Sequence, residues 1–367
     1  NIFGLSLRLK SACSKCLSPC GTLNTGAKTG SITLNYFINR KQYLNGSMTA
    51  EITIIIVNWN TKELLRNCLR SIICKDSGIH AKIIVVDNDS KDGSGEMVSS
   101  EYPEVTLINS GGNLGFGKAN NLGKGHVVGD YVLFLNPDTI LMDGAIEKMT
   151  NFMESHPAIG ALSCKMIYPS GDVQPLGLQW FPSPMTELIK MLFVTKGTSK
   201  YLNGFIPYHD PNQSGYVNKL YGGCLLVRSA VLDEVGWFDE RFFMYGEDVD
   251  LSRRIAEAGW KLYYMSDVAI IHLCGGASKK SESDFSTLMM CDSVSKLMKK
   301  YHGNWGEITY KAVIFTGSCA RMLILFLMNF ITNLLGRDRT QNDDRLIKKY
   351  GTMIRWSLNR KKPFIPS

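Results

Sequence analysis

The sequence lacks the features that define several common classes of protein. It has no long apolar region near its N-terminus, so no secretory signal peptide is predicted, and a reducing cytosol suits its ten cysteines. Its 12 prolines and 34 glycines are too few for collagen or a low-complexity chain of 367 residues. Its 44% of hydrophobic residues is enough to bury a full core, and its length suits one large α/β domain with appendages or two ordinary domains.

The cysteines do not form a recognisable metal site. Cys13, Cys16 and Cys20 make a C-x2-C-x3-C pattern. A structural zinc site needs a fourth ligand and usually a second pair, and neither lies nearby in the sequence. We therefore interpret the pattern as unpaired thiols in a loose segment, with structural zinc as the less favoured alternative.

The chain divides into three regions by composition. Residues 1–50 are rich in Ser, Gly and Asn without a sustained apolar period, which predicts a poorly ordered N-terminal extension. Residues 51–302 alternate strand and helix patterns, which predicts one α/β domain. Residues 303–367 contain a long apolar segment followed by a basic tail.

The alternation in residues 51–302 predicts a mostly parallel, Rossmann-like sheet flanked by helices. Buried parallel strands are continuous apolar runs, and Ile52–Val57 is the first of them. Residues 169–220 are irregular, with several prolines and glycines, which indicates a long functional loop region. Further strands are predicted at 82–86, 105–108, 131–135, 221–227, 261–264 and 268–271, and helices at 61–73, 92–100, 117–123, 248–258 and 284–301.

The first two predicted strands both end in amide or acidic residues. Asn58 and Asn60 end the first strand, and Asp87, Asn88 and Asp89 follow the second. Ligands of open α/β sheets bind at the carboxyl ends of the strands. A carboxylate there is able to accept the imino N–H of uracil or thymine, which predicts a nucleotide site. Capping of the loops by Asx side chains is the alternative.

A glycine-rich loop follows the third predicted strand. Gly111–Asn121 reads GGNLGFGKANN and leads into a helix, whose N-terminal N–H groups attract phosphate. The spacing is not G-x-G-x-x-G, and Asn58–Glu63 after the first strand contains no glycine. The loop is therefore a weak indication of phosphate binding, and a Rossmann oxidoreductase is disfavoured.

Two acidic segments and one histidine complete the set of candidate residues. Asn136-Pro137-Asp138 ends the fourth strand and offers a carboxylate to a hard divalent cation, although N-P-D is also a common turn. Tyr245–Leu251 opens a helix with three acids among four residues, more than helix capping needs, so a general base is a candidate role. His272 ends a short strand, where a nearby metal would favour ligation over a structural role.

Together these segments resemble the family-2 glycosyltransferases of the GT-A fold, in particular the rhamnosyltransferase-like branch that builds bacterial cell-surface polysaccharides. The resemblance covers about residues 51–275, with the motifs in the family's order. The matching segments are IIIVNWN at 54–60, IIVVDNDSKDGS at 83–94, NLGFGKANN at 113–121, LFLNPDT at 133–139, GGCLLVRSAVLDEVGWFDERFFMYGEDVDLSRRIAEAGWKLYY at 222–264 and IIH at 270–272.

The resemblance implies a role for each matched residue. Asp138 stands in the family's D-x-D metal motif and would bind Mg2+ or Mn2+, with His272 completing the site. Asn136 replaces the first aspartate of that motif, which weakens metal binding in principle. Glu247-Asp248 matches the family's E-D motif, so Asp248 would be the catalytic base beside Glu247. The implied contacts to the donor are Asn58, Asp87, Asn88, Asn113, Gly115, Asn120 and Asn136.

The activity implied is inverting transfer of one sugar to a saccharide or lipid-linked saccharide. The implied donor is a nucleotide diphosphate sugar, either dTDP-rhamnose or a UDP-sugar. Processive members carry Q-x-x-R-W, of which Thr352–Trp356 keeps only the Arg-Trp, so transfer of a single sugar is expected. The alternative is a catalytically silent nucleotide-sugar binding module, against which the presence of Asp248 argues.

The C-terminal region predicts contact with a membrane. The net charge of +8 favours anionic partners. Nine basic and three acidic residues lie in 337–362, directly after the apolar segment Ala312–Leu335, which suits lipid and not nucleic acid. Arg321 makes a full span costly, so we predict a helix in the interface of the inner membrane face with its polar residues turned to water. The alternative is a soluble helix packed on the preceding domain.

Overall fold

The apolar runs of the sequence form one sheet with helices on both faces. In this computed structural model the described residues are 51–75, 80–177, 179–193, 209–273, 283–334 and 341–363. The predicted N-terminal extension and its three cysteines lie outside these residues. The strands are β1 Ile52–Asn58, β2 Ala81–Asp87, β3 Thr106–Asn109, β4 Tyr131–Leu135, β5 Thr139–Leu141, β6 Ile159–Ile167, β7 Gly215–Tyr216, β8 Cys224–Arg228 and β9 Lys261–His272.

Helices connect most of these strands. A short 3-10 turn at Lys124–His126 precedes β4. The helices are α1 Lys62–Lys75, α2 Ser94–Glu101, α3 Phe116–Leu122, α4 Ala145–Ser155, α5 Pro184–Phe193, α6 Ser229–Val235, α7 Glu247–Glu257, α8 Ser283–Leu334 and α9 Gln341–Ser357.

The sheet is parallel in its first half and mixed in its second. Its strand order is β3-β2-β1-β4-β8-β6-β9-β5, and β7 pairs with β9. β1 pairs in parallel with β2 and β4, and β2 pairs in parallel with β3, as the alternating pattern predicts. β8 lies antiparallel to both β4 and β6. Because Asn58 pairs with Asp87 in the parallel register, the polar ends of β1 and β2 lie side by side.

Alternating side chains of β1 supply the two faces of the core. Ile52, Ile54 and Ile56 pack towards α1 and α4, while Ile55 and Val57 pack towards α3, α6 and α7. Each fully buried Ile contributes about 1.5–3 kcal/mol of hydrophobic stabilisation. Because both faces of β1 are buried, its sequence is an uninterrupted apolar run. The alternation of side chains along the strand also determines which helices the side chains at its end face.

Two predictions of secondary structure are wrong. The irregular region 169–220 contains α5, which begins at Pro184, a residue favoured at the first position of a helix. The two short strands predicted at 261–264 and 268–271 form the single strand β9 of 12 residues. Its polar Ser266 and Asp267 fall at a register shift, where β6 passes from pairing with Met265 to pairing with Ala269. The Ser266 N–H instead donates to Ser214 Oγ at 2.8 Å.

The C-terminal helices α8 and α9 pack on α5 and on each other. Their shared core contains Leu288, Met298, Tyr310, Ile314 and Trp356. α8 breaks at Gly303, where φ is 67°, a backbone conformation that favours glycine. By length and composition α8 is apolar enough to cross a membrane, although the same test is passed by core helices of soluble proteins.

Arg321 in the apolar part of α8 faces protein, not water. Its guanidinium donates to the carbonyls of Lys190 and Met191 at the end of α5 and to the Tyr350 hydroxyl of α9. The expectation that the polar residues of this segment turn to water is therefore wrong for Arg321. Asn333 is exposed as expected. The other outward residues of this stretch are apolar and 50–72% exposed: Leu323, Ile324, Phe326, Leu327, Met328, Phe330, Ile331 and Leu334.

Candidate active site

A cavity of about 730 Å3 lies at the carboxyl ends of β1, β2 and β4. Open α/β sheets bind their ligands at this edge. The glycine-rich loop, the start of α7 and the segment after β6 complete its walls. Most of the residues singled out in the sequence line it: Asn88, Asn113, Gly115, Asn136, Asp138, Glu247, Asp248 and His272.

Asn58 and Asp87 lie beside this cavity and bind each other. Asn58 Nδ2 donates to Asp87 Oδ1 at 3.3 Å, and Thr61 Oγ1 donates to Asn58 Oδ1 at 2.6 Å. Both side chains belong to the strand face that packs on α1 and α2, so neither lines the main cavity. Asp87 instead lines an adjoining polar depression of about 660 Å3, together with Ser90 and Asn109.

Asn88 holds the glycine-rich loop against the end of β2. Its Nδ2 donates to Asn113 Oδ1 at 3.0 Å and to the Gly115 carbonyl at 3.3 Å. Its Oδ1 accepts from the Leu114 N–H at 2.9 Å. The amide groups of Asn88 and Asn113 therefore shape the loop, as the Asx-capping alternative anticipated, while both residues also line the cavity.

Gly115 is required by a close backbone approach. Its φ is +77°, and a Cβ at this position would lie 2.3 Å from the carbonyl oxygen of Phe243. The next residue, Phe116, donates its N–H to that same carbonyl at 2.8 Å. The loop is thus tied to the segment that leads into α7.

Asn120 is a third predicted donor contact that lies outside the main cavity. It is fully buried in α3, and its Nδ2 donates to the Phe116 carbonyl at 2.9 Å. It does not line the cavity. Its amide nitrogen is turned back onto its own helix, and its donor contact stays a prediction.

Asn136, Asp138 and His272 converge at the end of β4. The Oδ1 of Asp138 lies 3.3 Å from His272 Nε2, and the Asn136 amide lies 3.5 Å from the same nitrogen. Antiparallel pairing of β5 with β9 brings them together, since Thr139 pairs with His272.

These three residues fit a divalent cation. Two ligand atoms at right angles on a cation with bonds of about 2.1 Å lie about 3 Å apart, close to the observed separation. Within the ranges that the structure describes, no cluster of three or more His, Cys, Asp or Glu side chains could hold a metal ion. One carboxylate, one imidazole and one amide remain, which suits a cation that takes its other ligands from phosphate and water.

Glu247 and Asp248 begin α7 at the wall of the cavity. Asp248 is half-buried, and its carboxylate accepts from the N–H groups of Gly222 at 3.1 Å and Val249 at 2.8 Å. Burial raises the pKa of Asp248, although these bonds and the nearby Lys219 oppose the shift. Burial and the charge of Asp248 raise the pKa of Glu247 to about 7. A base of raised pKa removes a hydroxyl proton more readily than an ordinary carboxylate.

The third acid of this segment, Asp250, has a structural role. It is fully buried and accepts from Lys300 Nζ at 2.5 Å, Tyr301 Oη at 2.7 Å and Arg254 Nε at 2.8 Å. These bonds fasten α7 to α8. The three acids in the first turn of α7 therefore divide into a pair that lines the cavity and Asp250, which anchors the helix.

Sequence reasoning missed three residues around the cavity. Trp59 lines it with a buried indole N–H that has no hydrogen-bond partner among the described residues. Gln174 contacts His272 from the segment after β6. Lys219 is buried near Asp248, and burial lowers the pKa of its amine to about 8. Trp59 belongs to the NWN segment, which the sequence analysis had noted. Gln174 and Lys219 lie in the irregular region 169–220, which carries no motif.

Comparison with known proteins agrees with this geometry. The family model for glycosyl transferase family 2 matches residues 53–234. The N-acetylglucosaminyl-diphospho-decaprenol L-rhamnosyltransferase of Mycobacterium tuberculosis is 31% identical over 247 residues, covering 61% of this chain and 76% of the relative. Rhamnosyltransferase WbbL of Escherichia coli K12 is 28% identical over 229 residues, covering 60% and 83%.

A solved structure shares the fold. The mannosyltransferase PcManGT from Pyrobaculum calidifontis aligns with a TM-score of 0.51 at 15% identity, over 89% of this chain and 94% of that one. The chain belongs to glycosyl transferase family 2, with rhamnosyltransferases among its relatives. The predicted family, GT-A fold and enzyme class are confirmed: the protein is a glycosyltransferase.

Proposed function

We propose that the protein transfers one sugar, with inversion, from a nucleotide diphosphate donor to a hydroxyl of an acceptor. The observation that carries this proposal is that Asp248 and the Asp138–His272 pair line the same cavity. A base for the acceptor and a cation site for the diphosphate are the two groups that a single displacement needs. No carboxylate nucleophile is required, unlike in a retaining double displacement.

Asp248 is proposed as the general base. Two backbone N–H groups hold its carboxylate, so its orientation is fixed before the acceptor arrives. It removes the proton of the acceptor hydroxyl as that oxygen attacks the anomeric carbon. Glu247 is its neighbour in the chain, and burial together with the charge of Asp248 raises the pKa of Glu247 to about 7.

Asp138 and His272 are proposed to hold Mg2+ or Mn2+, with Asn136 beside them. When bound, the cation supplies neutralisation of the charge on the leaving nucleotide diphosphate. The fold neighbour PcManGT was solved with GDP-Man and Mn2+, which supports a divalent cation in general.

The donor is proposed to be dTDP-rhamnose, with a UDP-sugar as the alternative. The proposal is supported by the names of two relatives, both rhamnosyltransferases. Asp87, Asn88, Asn113 and Gly115 would then contact the nucleotide from the end of β2 and from the glycine-rich loop. Asn58, which is buried at the end of β1, would hold Asp87 through their hydrogen bond.

A donor screen tests this assignment. Thermal shift is measured with dTDP-rhamnose, UDP-sugars and GDP-sugars in the presence of Mn2+. The largest stabilisation is expected from dTDP-rhamnose, because a ligand that binds the folded state raises the melting temperature. A clear preference for a UDP-hexose would refute the donor, and no shift with any nucleotide sugar would refute the site.

The acceptor is proposed to be a saccharide or lipid-linked saccharide in cell-surface polysaccharide synthesis. The name of the mycobacterial relative includes such a lipid-linked acceptor. Single-sugar transfer fits the place of Trp356, which is buried in the α8–α9 core and packs edge-on to Tyr310. The segment Thr352–Trp356 belongs to α9 and begins 104 positions (352 − 248) after Asp248 in the sequence.

The end of α8 is proposed to rest on the inner face of the cell membrane. Its outward residues from Leu323 to Leu334 are apolar and exposed, which favours a lipid surface. Exposed basic residues of α9, including Arg345, Lys348 and Lys349, would contact anionic lipid at about 1 kcal/mol each.

Liposome flotation tests the membrane contact. Removing all residues after Tyr301 would expose the α8–α9 core. The test therefore replaces surface residues and keeps the chain at full length. Replacing Phe326, Phe330 and Leu334 by Ser should abolish flotation with anionic vesicles, while Met185→Ser/Tyr216→Ser, a control on exposed residues elsewhere, should float like the wild type. Equal flotation of the triple variant, or none by the wild type at low salt, would refute the contact.

A further inference from the structure

Gln174 makes two hydrogen bonds to a single residue, His272. Its Nε2 donates to the backbone carbonyl of His272 at 2.7 Å, and its Oε1 lies 3.0 Å from the ring Nδ1. A carbonyl oxygen only accepts, so the amide nitrogen must face it and the amide oxygen must face the ring. Because that amide oxygen also only accepts, Nδ1 must carry the hydrogen and donate it.

This bond decides what the other ring nitrogen does. A neutral imidazole with a hydrogen on Nδ1 has a lone pair on Nε2, the form that binds a metal. In His272, Nε2 is the atom that faces Asp138 Oδ1 at 3.3 Å and the Asn136 amide at 3.5 Å. Gln174 therefore points the ligating nitrogen of His272 at the carboxylate.

Gln174 is itself held in place by backbone contacts. Its N–H donates to the Met166 carbonyl at 2.8 Å, and a bridge joins Ile167 to Val173. The turn between them is closed by the Tyr168 N–H and the Asp172 carbonyl at 2.8 Å. A side chain that starts from a fixed backbone is able to orient its partner without a large loss of conformational entropy.

We propose that Gln174 is a positioning residue for the cation: it fixes the ring orientation and tautomer of His272 and thereby sets the affinity for Mn2+ or Mg2+. The inference rests on the proposed ligand role of His272. Partners of this kind, which hold a ligating histidine from its second nitrogen, change metal affinity about 10–100-fold when they are removed.

The first measurement is Mn2+ binding, which is monitored through the EPR signal of free Mn2+. Four proteins are compared: wild type, Gln174→Met, His272→Ala and the double variant, with Gln213→Met as a control at an exposed position outside the cavity. Gln174→Met should bind Mn2+ about 10–100-fold more weakly. The double variant should bind no more weakly than His272→Ala, because Gln174 acts through the ring. Thermal melting confirms that each variant is folded.

The second measurement reads the tautomer without metal. In protein labelled with 15N-histidine, the ring nitrogens of His272 are assigned by their loss in His272→Ala. The wild type should show the Nδ1–H tautomer, and Gln174→Met should lose this preference. An unchanged tautomer, an unchanged Mn2+ affinity of Gln174→Met, or a further loss in the double variant would overturn the inference. If His272→Ala binds Mn2+ like the wild type, the proposed metal role of His272 fails instead.

Discussion

Asp248 combines burial with hydrogen bonds that oppose its effect. Burial favours the protonated acid, while the Gly222 and Val249 N–H groups and the Lys219 amine favour the carboxylate. The net result is a raised pKa for Asp248, so this carboxylate takes up a proton at higher pH than an exposed aspartate does. Glu247 beside it has its pKa raised to about 7, so the pair takes up protons at higher pH than exposed carboxylates do.

This pair predicts the acid side of the pH profile. Transfer needs a deprotonated base, and a raised pKa keeps the acid form present to higher pH, so kcat should fall as the pH is lowered from about 8 to about 5. The measurement is kcat at saturating donor and acceptor across this range. A rate that stays flat down to about pH 5 would mean that the pair does not titrate in the rate-determining step.

Asp138 supplies the only carboxylate of the Asn136–Asp138–His272 group, so its removal should be severe. Asp138→Ala is expected to lose both Mn2+ and donor affinity, because the cation and the diphosphate share one site. Isothermal titration with Mn2+ and with the donor measures both, and the exposed Asp233→Ala serves as the control. Donor binding that survives in Asp138→Ala, or full activity of the wild type in excess EDTA, would show that Asn136-Pro137-Asp138 is only a turn and does not bind a cation.

Motifs at strand ends identified most cavity residues, and irregular segments hid the others. Asp138, His272 and Asp248 were predicted because each terminates or begins a regular element. Gln174 follows β6 in a stretch without periodicity, and its contact with His272 depends on pairing across 98 positions of sequence. No local pattern encodes such a pair, since long-range strand pairing creates it.

The glycine-rich loop is the element that depends most on one residue. In Gly115→Ala the methyl group would meet the Phe243 carbonyl at 2.3 Å in a backbone of positive φ. We expect a loss of stability of about 1–3 kcal/mol and weaker donor binding, because strain of this kind costs that much and displaces the loop. Urea denaturation measures the loss. Gly125→Ala, which meets no atom within 4 Å, is the matched control; equal stabilities of the two variants would contradict the prediction.

Most elements from β1 to β4 were predicted, but α4, β6 and α6 were not, although α4 buries Ile146, Met149 and Met153 at helical spacing. β1, β2 and β4 contain continuous apolar runs, and α1 and α3 follow predicted strand ends. α7 follows α6 and a loop, and its cluster of acids identified it. β5 has three residues and exists through its pairing with β9. β9 carries Ser266 and Asp267 in its middle, and alternation of buried and outward residues, not an apolar run, marks it as a strand.

At the scale of the molecule, α8 links the catalytic region to an apolar surface. Before Gly303 it contacts α7 through Lys300 and Tyr301, and after Gly303 it packs on α5 and α9 and then exposes its apolar face. Arg321, which sequence reasoning turned to water, closes the carboxyl end of α5. We expect the proposed membrane contact to hold the cavity near lipid-linked acceptors, which is where a polysaccharide-building enzyme finds them.

The most direct test of the whole account is the Asp248→Asn variant. Its amide keeps the shape of the carboxylate and cannot take up the acceptor proton, so transfer should slow by about 10²–10⁴-fold. Donor affinity, measured by titration calorimetry, should stay within about threefold of the wild type, as should both properties of the Asp233→Asn control. A folded Asp248→Asn protein that transfers sugar at a near-normal rate would remove Asp248 from the mechanism and contradict the proposed catalytic function.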